Sequence, residues 1–332
     1  MSQLKHDWEV DEVAEIYYLP LMDLIYKAAE VHKEFHKVGE VQVSTLLSVK
    51  TGACTEDCSY CSQSSRYQTD VEYQRLMQFE EVMASAKEAR MSGSSRFCMG
   101  AAWREVKDDE NFEEVLKMVR GITDMGMEVC ATLGMLNESQ ADRLKDAGLH
   151  AYNHNIDTSE EYYKEVITTR TYKDRLDTID NVQKAGIGVC SGGIIGLGET
   201  DEDRIRMLHT LATLPTHPSS VPVNALVPVE GTPMESNKRV SIWEMIRMIA
   251  TARIVMPKSM VRLSAGRTEM GETDQALCFL AGANSIFAGD KLLTTPNPDR
   301  TSDDALFKLL GIRPMKAFAQ PSVVDEQKEV VS

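Results

Sequence analysis

The sequence predicts an α/β protein whose parallel strands alternate with helices, and three observations indicate this fold class. From Val43 onward, short β-rich runs alternate with longer stretches of helical periodicity. Several helical stretches end in Gly, as at Gly126, Gly148 and Gly186, where a left-handed conformation closes a helix. About eight strand–helix units fit into the 332 residues, as a (β/α)8 barrel requires. An open doubly wound sheet has the same periodicity, so the pattern alone leaves both architectures open.

The predicted elements follow in chain order. An amphipathic helix over residues 21–36 precedes the main pattern. Strands are predicted over residues 46–50, 96–99, 128–133, 151–155, 188–195, 222–227, 261–264 and 286–288. Helices are predicted between them over residues 79–91, 112–124, 138–147, 175–185, 203–214, 242–255 and 273–281. We therefore expect a helical extension over residues 1–40, a single barrel domain over 41–313 and a flexible tail over 314–332.

Charge and hydropathy exclude several classes of protein. The chain has 36 Lys and Arg against 51 Asp and Glu, a net charge of −15 that disfavours a general binder of nucleic acid backbones. No stretch approaches the roughly 18 consecutive apolar residues of a membrane-spanning helix. The first residues are acidic and lack the basic start and apolar run of a secretory signal. We therefore expect a cytoplasmic protein that binds neither a membrane nor nucleic acid.

Three cysteines lie close together directly after the first predicted strand. Cys54, Cys58 and Cys61 form the pattern C-x3-C-x2-C at the strand end where a barrel carries its active site. Three thiolates suit a [4Fe–4S] cluster with one open iron, whereas a structural zinc site takes four ligands and no fourth lies nearby in the sequence. The triplet predicts an iron–sulfur centre, with structural zinc as the alternative.

Three further cysteines share one phase on separate predicted strands. Cys98, Cys130 and Cys190 each follow an apolar residue, so their thiols are expected to face the barrel interior. Arg262 has the same phase on a later strand, and a buried Arg needs an anionic partner such as a thiolate-ligated cluster or a substrate carboxylate. A single strand Cys is more often a small buried hydrophobe, and Cys278, on a helix face, is interpreted as core.

The cysteine triplet, with Tyr60 before its last member, resembles the signature of the radical S-adenosylmethionine (SAM) superfamily. A closer resemblance, to the biotin synthase family, extends from about residue 41 to about residue 312. It is carried by residues 52–63, 96–103, 152–159, 168–172, 190–200, 261–267 and 292–298. The resemblance implies a closed TIM-type (β/α)8 barrel, usually a homodimer, that acts as a sulfurtransferase in biotin biosynthesis and converts dethiobiotin to biotin.

The resemblance also implies two iron–sulfur clusters. Cys54, Cys58 and Cys61 correspond to the ligands of a [4Fe–4S] cluster that binds SAM. Ligands of a second, [2Fe–2S] cluster correspond to Cys98, Cys130, Cys190 and Arg262, and the iron-ligand role of the arginine rests on the resemblance alone. In this family a 5′-deoxyadenosyl radical removes hydrogen from C9 and C6 of dethiobiotin, and the [2Fe–2S] cluster donates the sulfur.

Further residues are assigned to SAM and to the substrate by the same resemblance. Tyr60 belongs to the SAM-binding segment, Asn155 and Asp157 correspond to groups at the SAM ribose, and Arg175 corresponds to a group near its carboxylate. Asn155 and Asn224 correspond to contacts with the ureido ring of dethiobiotin, and its carboxylate tail is held at the positions of Asn153, Thr294 and Thr295.

Partners and competing interpretations follow from the same comparison. The resemblance implies a flavodoxin-type reductant and iron–sulfur assembly proteins as partners. Other interpretations are a different radical SAM barrel, such as a hydrogenase-maturation enzyme or a methylthiotransferase, a non-catalytic iron–sulfur carrier, and a zinc-stabilised binding module. The four inward residues and the segment 153–157 favour biotin synthase. We interpret His154 as a supporting residue near the site and expect no role for His150.

Overall fold

The barrel wall is formed by parallel strands in the computed structural model, which describes residues 4–316. Its strands are β1 (Glu40–Lys50), β2 (Arg96–Ala101), β3 (Glu128–Thr132), β4 (Ala151–Asn153), β5 (Gly188–Cys190), β6 (Gly193–Ile195), β7 (Ser220–Ala225), β8 (Met260–Leu263) and β9 (Ser285–Ala288). Strand β1 pairs with β2 on one side and with β9 on the other, so the ring is closed. The predicted (β/α)8 barrel is therefore confirmed, and the open sheet is excluded.

One barrel position consists of two short strands where the sequence predicts a single strand over residues 188–195. Strands β5 and β6 both pair with β7 and are separated by two residues, the second of which is Gly192. A Cβ atom on Gly192 would lie 2.0 Å from the Pro222 carbonyl oxygen, so only glycine fits at this position. The break also frees the Gly192 N–H to donate to Oδ1 of Asn155 (3.2 Å).

The helices surround this wall. They are α1 (Val10–Tyr17), α2 (Leu21–Phe35), α3 (Phe79–Met91), α4 (Glu110–Asp124), α5 (Glu138–Asp146), α6 (Tyr163–Val166), α7 (Tyr172–Lys184), α8 (Asp201–Ala212), α9 (Ile242–Val255), α10 (Glu272–Leu280) and α11 (Arg300–Leu310). Several begin at a residue whose side chain accepts a backbone N–H of the first turn, as at Asp109, Thr171 and Ser241. Within the described residues, no helix has the length and apolar character needed to cross a membrane.

The two ends of the described chain pack on the outside of the barrel. Helices α1 and α2 lie against α8 and α9, and the Tyr17 hydroxyl donates to Oδ1 of Asp201 (2.9 Å). Helices α1 and α11 were not predicted from the sequence. A short strand β10 (Arg313–Pro314) pairs with the start of β1. Most of the predicted tail, residues 317–332, lies outside the described residues, and its flexibility stays a prediction.

The strand phase predicted from the cysteines is confirmed. Phe97, Val129 and Val189 belong to the main apolar core between strands and helices. Their neighbours in sequence, the three cysteines at positions 98, 130 and 190, form a second buried group with Ala151, against which Leu46 and Phe287 pack. Side chains alternate across a strand, so this second group fills the barrel lumen.

Candidate active site

A cavity of about 330 Å³ opens where the barrel strands end. All the site residues predicted from the sequence line it except Cys190, which is fully buried in the lumen beside the others. The lining residues among them are Cys54, Cys58, Tyr60, Cys61, Cys98, Cys130, Asn153, Asn155, Asp157, Arg175, Asn224, Arg262, Thr294 and Thr295. The structure thus brings residues from most of the barrel positions to one place.

The outer cysteine loop follows β1 and is held by its own backbone. The Cys54 N–H donates to the carbonyl of Gln63 (3.0 Å), and the Cys61 N–H donates to the carbonyl of Cys58 (2.9 Å). Burial raises the pKa of Cys58 to about 11 and that of Cys61 to about 12. Because these thiols stay protonated when nothing binds them, a cationic centre is needed to hold them as thiolates.

The inner thiols converge in the lumen. Cys98 lies directly opposite Cys130 on the neighbouring strand, and Cys190 lies opposite Ser220 on β7, which pairs with β5. A side-chain hydrogen bond with Cys130 lowers the pKa of Cys190 to about 6, and the same interaction raises the pKa of Cys130. The three sulfurs therefore form one electrostatically linked group rather than three separate core positions.

Arg262 lies within this group, and its hydrogen bonds to oxygen go to neutral side chains. Its Nε donates to the Ser285 hydroxyl (2.9 Å), and its Nη2 lies 3.3 Å from Gln42 Oε1 and Ser44 Oγ. Its Nη1 lies 3.9 Å from the sulfur of Cys190. Among the described residues, Arg262 forms no ion pair with a carboxylate. Arg262 contributes to the lowered pKa of Cys190, so the sulfur group, and not a carboxylate, carries the negative charge that faces this guanidinium.

A buried ion pair lies beneath the inner thiols. Arg96 precedes Cys98 by two residues on β2, and its Nε donates to Oε2 of Glu128 on β3 (2.8 Å). Both side chains are buried. This pair, which was not singled out in the sequence, fills the lumen below the sulfur atoms with matched charge.

Asp157 and Arg175 form a second buried ion pair at the cavity wall. Arg175 also donates from Nε to the Tyr163 hydroxyl (2.9 Å) and from Nη1 to the carbonyl of Asn155 (2.8 Å). Three of the five N–H groups of this guanidinium are therefore used, and two of them fix the segment of Asn155 and Asp157. Its predicted contact with a SAM carboxylate would use the remaining two.

The predicted amide residues combine structural hydrogen bonds with spare capacity. Asn224 donates from Nδ2 to the carbonyl of Gly193 (3.0 Å), and its Oδ1 accepts from the Ala265 N–H (3.3 Å). One N–H of this amide is left for a ligand. The Thr294 hydroxyl lies 3.0 Å from the hydroxyl of Ser62, which ties the loop after β9 to the outer cysteine loop.

The two histidines near β4 differ, as expected from the sequence. His154 is buried and lines the cavity, and its Nε2 atom has no hydrogen-bond partner within residues 4–316. Burial lowers the pKa of His154 well below its usual value, so its ring is neutral. His150 is exposed and accepts a backbone N–H from Val129. Cys278 is fully buried in the main core.

Two cavity residues were missed in the sequence. Glu56 and Arg170 both line the cavity beside Cys58. Arg170 lies in one of the stretches that carry the family resemblance, yet no role was attached to it, and Glu56 lies inside the cysteine triplet. An acidic residue between metal-ligand cysteines and an arginine near the ends of the barrel strands were the available signals.

A site for a single metal ion would need several His, Cys, Asp or Glu side chains close together. Within residues 4–316, no three His, Cys, Asp or Glu side chains are placed to hold one ion together. An iron–sulfur cluster distributes its ligands over several iron atoms. The finding therefore concerns mononuclear sites alone.

Two family profiles match the sequence. Residues 48–211 match the radical SAM superfamily. Residues 222–313 match the domain described as Biotin and Thiamin Synthesis associated. Together they span the barrel from β1 to β10.

Curated relatives match over nearly the whole chain. A protein named biotin synthase from Cytophaga hutchinsonii is 64% identical over 318 residues, covering 96% of this chain and 94% of that protein. One named mitochondrial biotin synthase from Arabidopsis thaliana is 59% identical over 330 residues, covering 99% and 87%.

Solved structures share the fold at low sequence identity. Methylornithine synthase (PylB) superposes with a TM-score of 0.77 at 19% identity, over 93% of this chain and 94% of that one. The FeFe-hydrogenase maturase HydG from Carboxydothermus hydrogenoformans gives 0.79 at 18% identity, over 94% and 77%. Similarity at this level concerns the fold and does not distinguish one activity from another.

Proposed function

The chain belongs to the biotin synthase family of radical SAM enzymes, and we propose how its own residues perform the sulfur insertion of that family. It is a sulfur-inserting enzyme of biotin biosynthesis that acts on a small molecule. The observation that carries the proposal at residue level is the convergence of Cys98, Cys130 and Cys190 around Arg262 in a closed lumen.

The outer loop has the donors that a SAM-binding [4Fe–4S] cluster needs. Cys54, Cys58 and Cys61 would hold the cluster and leave one iron for SAM. Unpartnered polar atoms on two buried side chains nearby, Nε2 of His154 and Nε of Arg170, support a polar or anionic occupant of the cavity. When bound, cluster and SAM supply the one-electron chemistry that makes unactivated C–H bonds reactive.

The inner group has the donors for a [2Fe–2S] cluster that serves as the sulfur source. Cys98, Cys130 and Cys190 would hold it, with Arg262 as fourth ligand or as counter-ion. The Ser220 hydroxyl is buried opposite Cys190 and helps to lower the pKa of that thiol. It can therefore donate to a sulfur atom in the lumen.

The residues between the two groups would bind SAM and dethiobiotin. Asp157, held by Arg175, would accept hydrogen bonds from the SAM ribose with Asn155, and Tyr60 lies in the same wall. Asn155 and the spare N–H of Asn224 suit the ureido ring, whose carbonyl and N–H groups need both donors and acceptors.

The rest of the cavity would hold the substrate tail and exclude water. Asn153, Thr294 and Thr295 offer neutral donors to the carboxylate of dethiobiotin. Leu46 and Phe287 pack against the inner thiols and leave an apolar surface above them. An apolar lumen protects a reactive carbon centre from side reactions.

Reconstitution of the full-length protein under anaerobic conditions tests this assignment. Wild-type protein should bind both cluster types, measured by iron and sulfide content with Mössbauer spectra. It should release 5′-deoxyadenosine and biotin from SAM and dethiobiotin when a reductant is added. The variant Cys130→Ala should lose the [2Fe–2S] signal and keep the [4Fe–4S] signal. The ligands proposed for the [4Fe–4S] cluster lie on the outer cysteine loop, whereas Cys130 belongs to the inner group in the lumen.

The control is Cys278→Ala, which removes a buried thiol of the main core that does not line the cavity and should keep both clusters. If Cys130→Ala still forms biotin with normal sulfur incorporation, the sulfur-donor assignment is wrong.

We also propose a homodimer that receives electrons from a flavodoxin-type protein and its clusters from iron–sulfur assembly proteins. All three proposals rest on the family resemblance. Sedimentation equilibrium of the reconstituted protein tests the first, and reduction of the outer cluster by purified flavodoxin tests the second.

A further inference from the structure

The outer cysteine loop is clasped by the segment between α6 and α7. Asp57 accepts hydrogen bonds from the backbone N–H groups of Thr168 (2.9 Å) and Thr169 (3.1 Å). The Thr169 hydroxyl also bonds to the carboxylate of Glu56. Because Asp57 precedes Cys58 directly, this clasp fixes the distant segment against a predicted cluster ligand.

The clasp places the guanidinium of Arg170 in the cavity, where two of its three nitrogens have no hydrogen-bond partner among the described residues. The Arg170 side chain is 8% exposed, and its Nε and Nη1 donate to no described residue. Its one ion-pair contact, from Nε to Oε2 of Glu56, measures 3.8 Å, which is too long for a hydrogen bond. A buried cation with unused donors is costly, so its position indicates an anionic ligand that the bare chain does not supply.

The negative charge near Arg170 does not balance its positive charge in full. Glu56 is shared with a second guanidinium, since its Oε1 lies 3.2 Å from Nη1 of Arg104. One carboxylate therefore serves two cations. The other guanidinium of this wall, Arg175, has its own carboxylate in Asp157.

The sulfur of Cys58 lies near Arg170. Glu56, whose Oε2 is 3.8 Å from Nε of Arg170, precedes Cys58 by two residues on the outer cysteine loop. Both Cys58 and Arg170 line the same cavity. The guanidinium is thus close enough to act on negative charge at this sulfur.

We propose that Arg170 stabilises the negative charge of the iron–sulfur cluster bound through Cys58 and so raises its reduction potential, while Glu56 limits that effect. The inference rests on the proposed function, because it takes Cys58 as a cluster ligand. Donors and positive charge near cluster sulfurs favour the reduced cluster, which carries one more negative charge. Arg170 is in this sense a positioning and tuning residue of the outer cluster.

Redox titration of the reconstituted full-length protein, followed by electron paramagnetic resonance, tests the proposal. Arg170→Gln should shift the midpoint potential of the [4Fe–4S] cluster to more negative values, and Glu56→Gln should shift it to more positive values. Arg170→Lys keeps the positive charge but loses the planar set of N–H donors. The midpoint potential should therefore shift less in Arg170→Lys than in Arg170→Gln.

Arg66→Gln is the matched control. Arg66 is an exposed arginine on the same loop, whose Nε donates to the carbonyl of Thr55 (3.2 Å). This variant changes the net charge by the same amount without touching the cavity, and the midpoint potential should stay at the wild-type value because solvent screens the lost charge.

Iron and sulfide content and the SAM dissociation constant complete the test. An unchanged midpoint potential in Arg170→Gln with full cluster content overturns the proposal. A weaker SAM affinity with unchanged potential also overturns it and makes Arg170 a SAM contact. If Arg170→Gln fails to load a cluster, the midpoint potential of Glu56→Gln decides the question. A potential in Glu56→Gln that is not more positive than in the wild type overturns the proposal. A wild-type protein without any [4Fe–4S] signal refutes the proposed function itself.

Discussion

Replacing Asp157 removes the carboxylate from a guanidinium that cannot reach water. Asp157 is 1% exposed and Arg175 is 4% exposed. Breaking a buried ion pair from one side costs about 3–5 kcal/mol, a large part of the roughly 5–15 kcal/mol that stabilises a folded protein. Asp157 also has a φ of +68°, which Asn tolerates better than Ala. We therefore expect Asp157→Ala to lose about 1 kcal/mol more than Asp157→Asn.

A double-mutant cycle by urea unfolding of the full chain measures both effects. The variants are Asp157→Asn, Asp157→Ala, Arg175→Gln and the double variant Asp157→Asn/Arg175→Gln. Because the double variant leaves no unpaired charge, it should be about as stable as either single variant, giving a coupling energy of about 3 kcal/mol. Additive losses in the double variant would refute the ion pair as the source of the effect, and equal losses in Asp157→Asn and Asp157→Ala would refute the backbone contribution.

Three further outcomes are expected. Gly192→Ala should lower the thermal midpoint of unfolding and the biotin-forming rate together, because the added Cβ would lie 2.0 Å from the Pro222 carbonyl oxygen. Wild-type values in this variant would show that β7 moves to accommodate the Cβ. Asn224→Ala should raise the KM for dethiobiotin about tenfold, equivalent to about 1.4 kcal/mol or one hydrogen bond; an unchanged KM would remove Asn224 from the substrate site. Burial first, and then the charge of Arg253, lowers the pKa of His32 to about 4 and that of His36 to about 3 from 6.5. Their contribution to stability is therefore complete above about pH 6.5 and is lost as the pH falls towards 4. Urea midpoints measured between pH 7.5 and 4.5 should fall less steeply in the double variant His32→Gln/His36→Gln, and parallel curves would contradict this.

Much of the barrel could be predicted from the sequence because its signals are local. Helices α3 and α9 begin and end at the predicted residues 79–91 and 242–255. Alternation along a strand is strict, so the phase of the three inner cysteines could be predicted without knowing the partners of their strands. Closure could not be predicted in this way, since it depends on the pairing of β1 with β9 across the length of the domain.

The parts that could not be predicted depend on contacts between distant segments. Helix α1 has eight residues, too few for a clear amphipathic pattern, and α8 and α9 give it a surface to pack on. The clasp of Asp57 on Thr168 joins residues 111 positions apart. Arg170 could therefore be located in the sequence, but its unpartnered guanidinium could not.

The inner site shows why iron ligation is not the only explanation for an arginine among cysteines. Arg96 is neutralised by Glu128, so among the described residues the positive charge beside the sulfurs that has no carboxylate partner belongs to Arg262. Its other contacts are hydroxyl and amide oxygens, which lower the cost of burying a cation but do not balance its charge. A thiolate-ligated cluster would balance it, and Arg262 would in turn offset the cost of burying that negative charge. Charge balance therefore gives Arg262 a role in this lumen whether or not its nitrogen also binds iron.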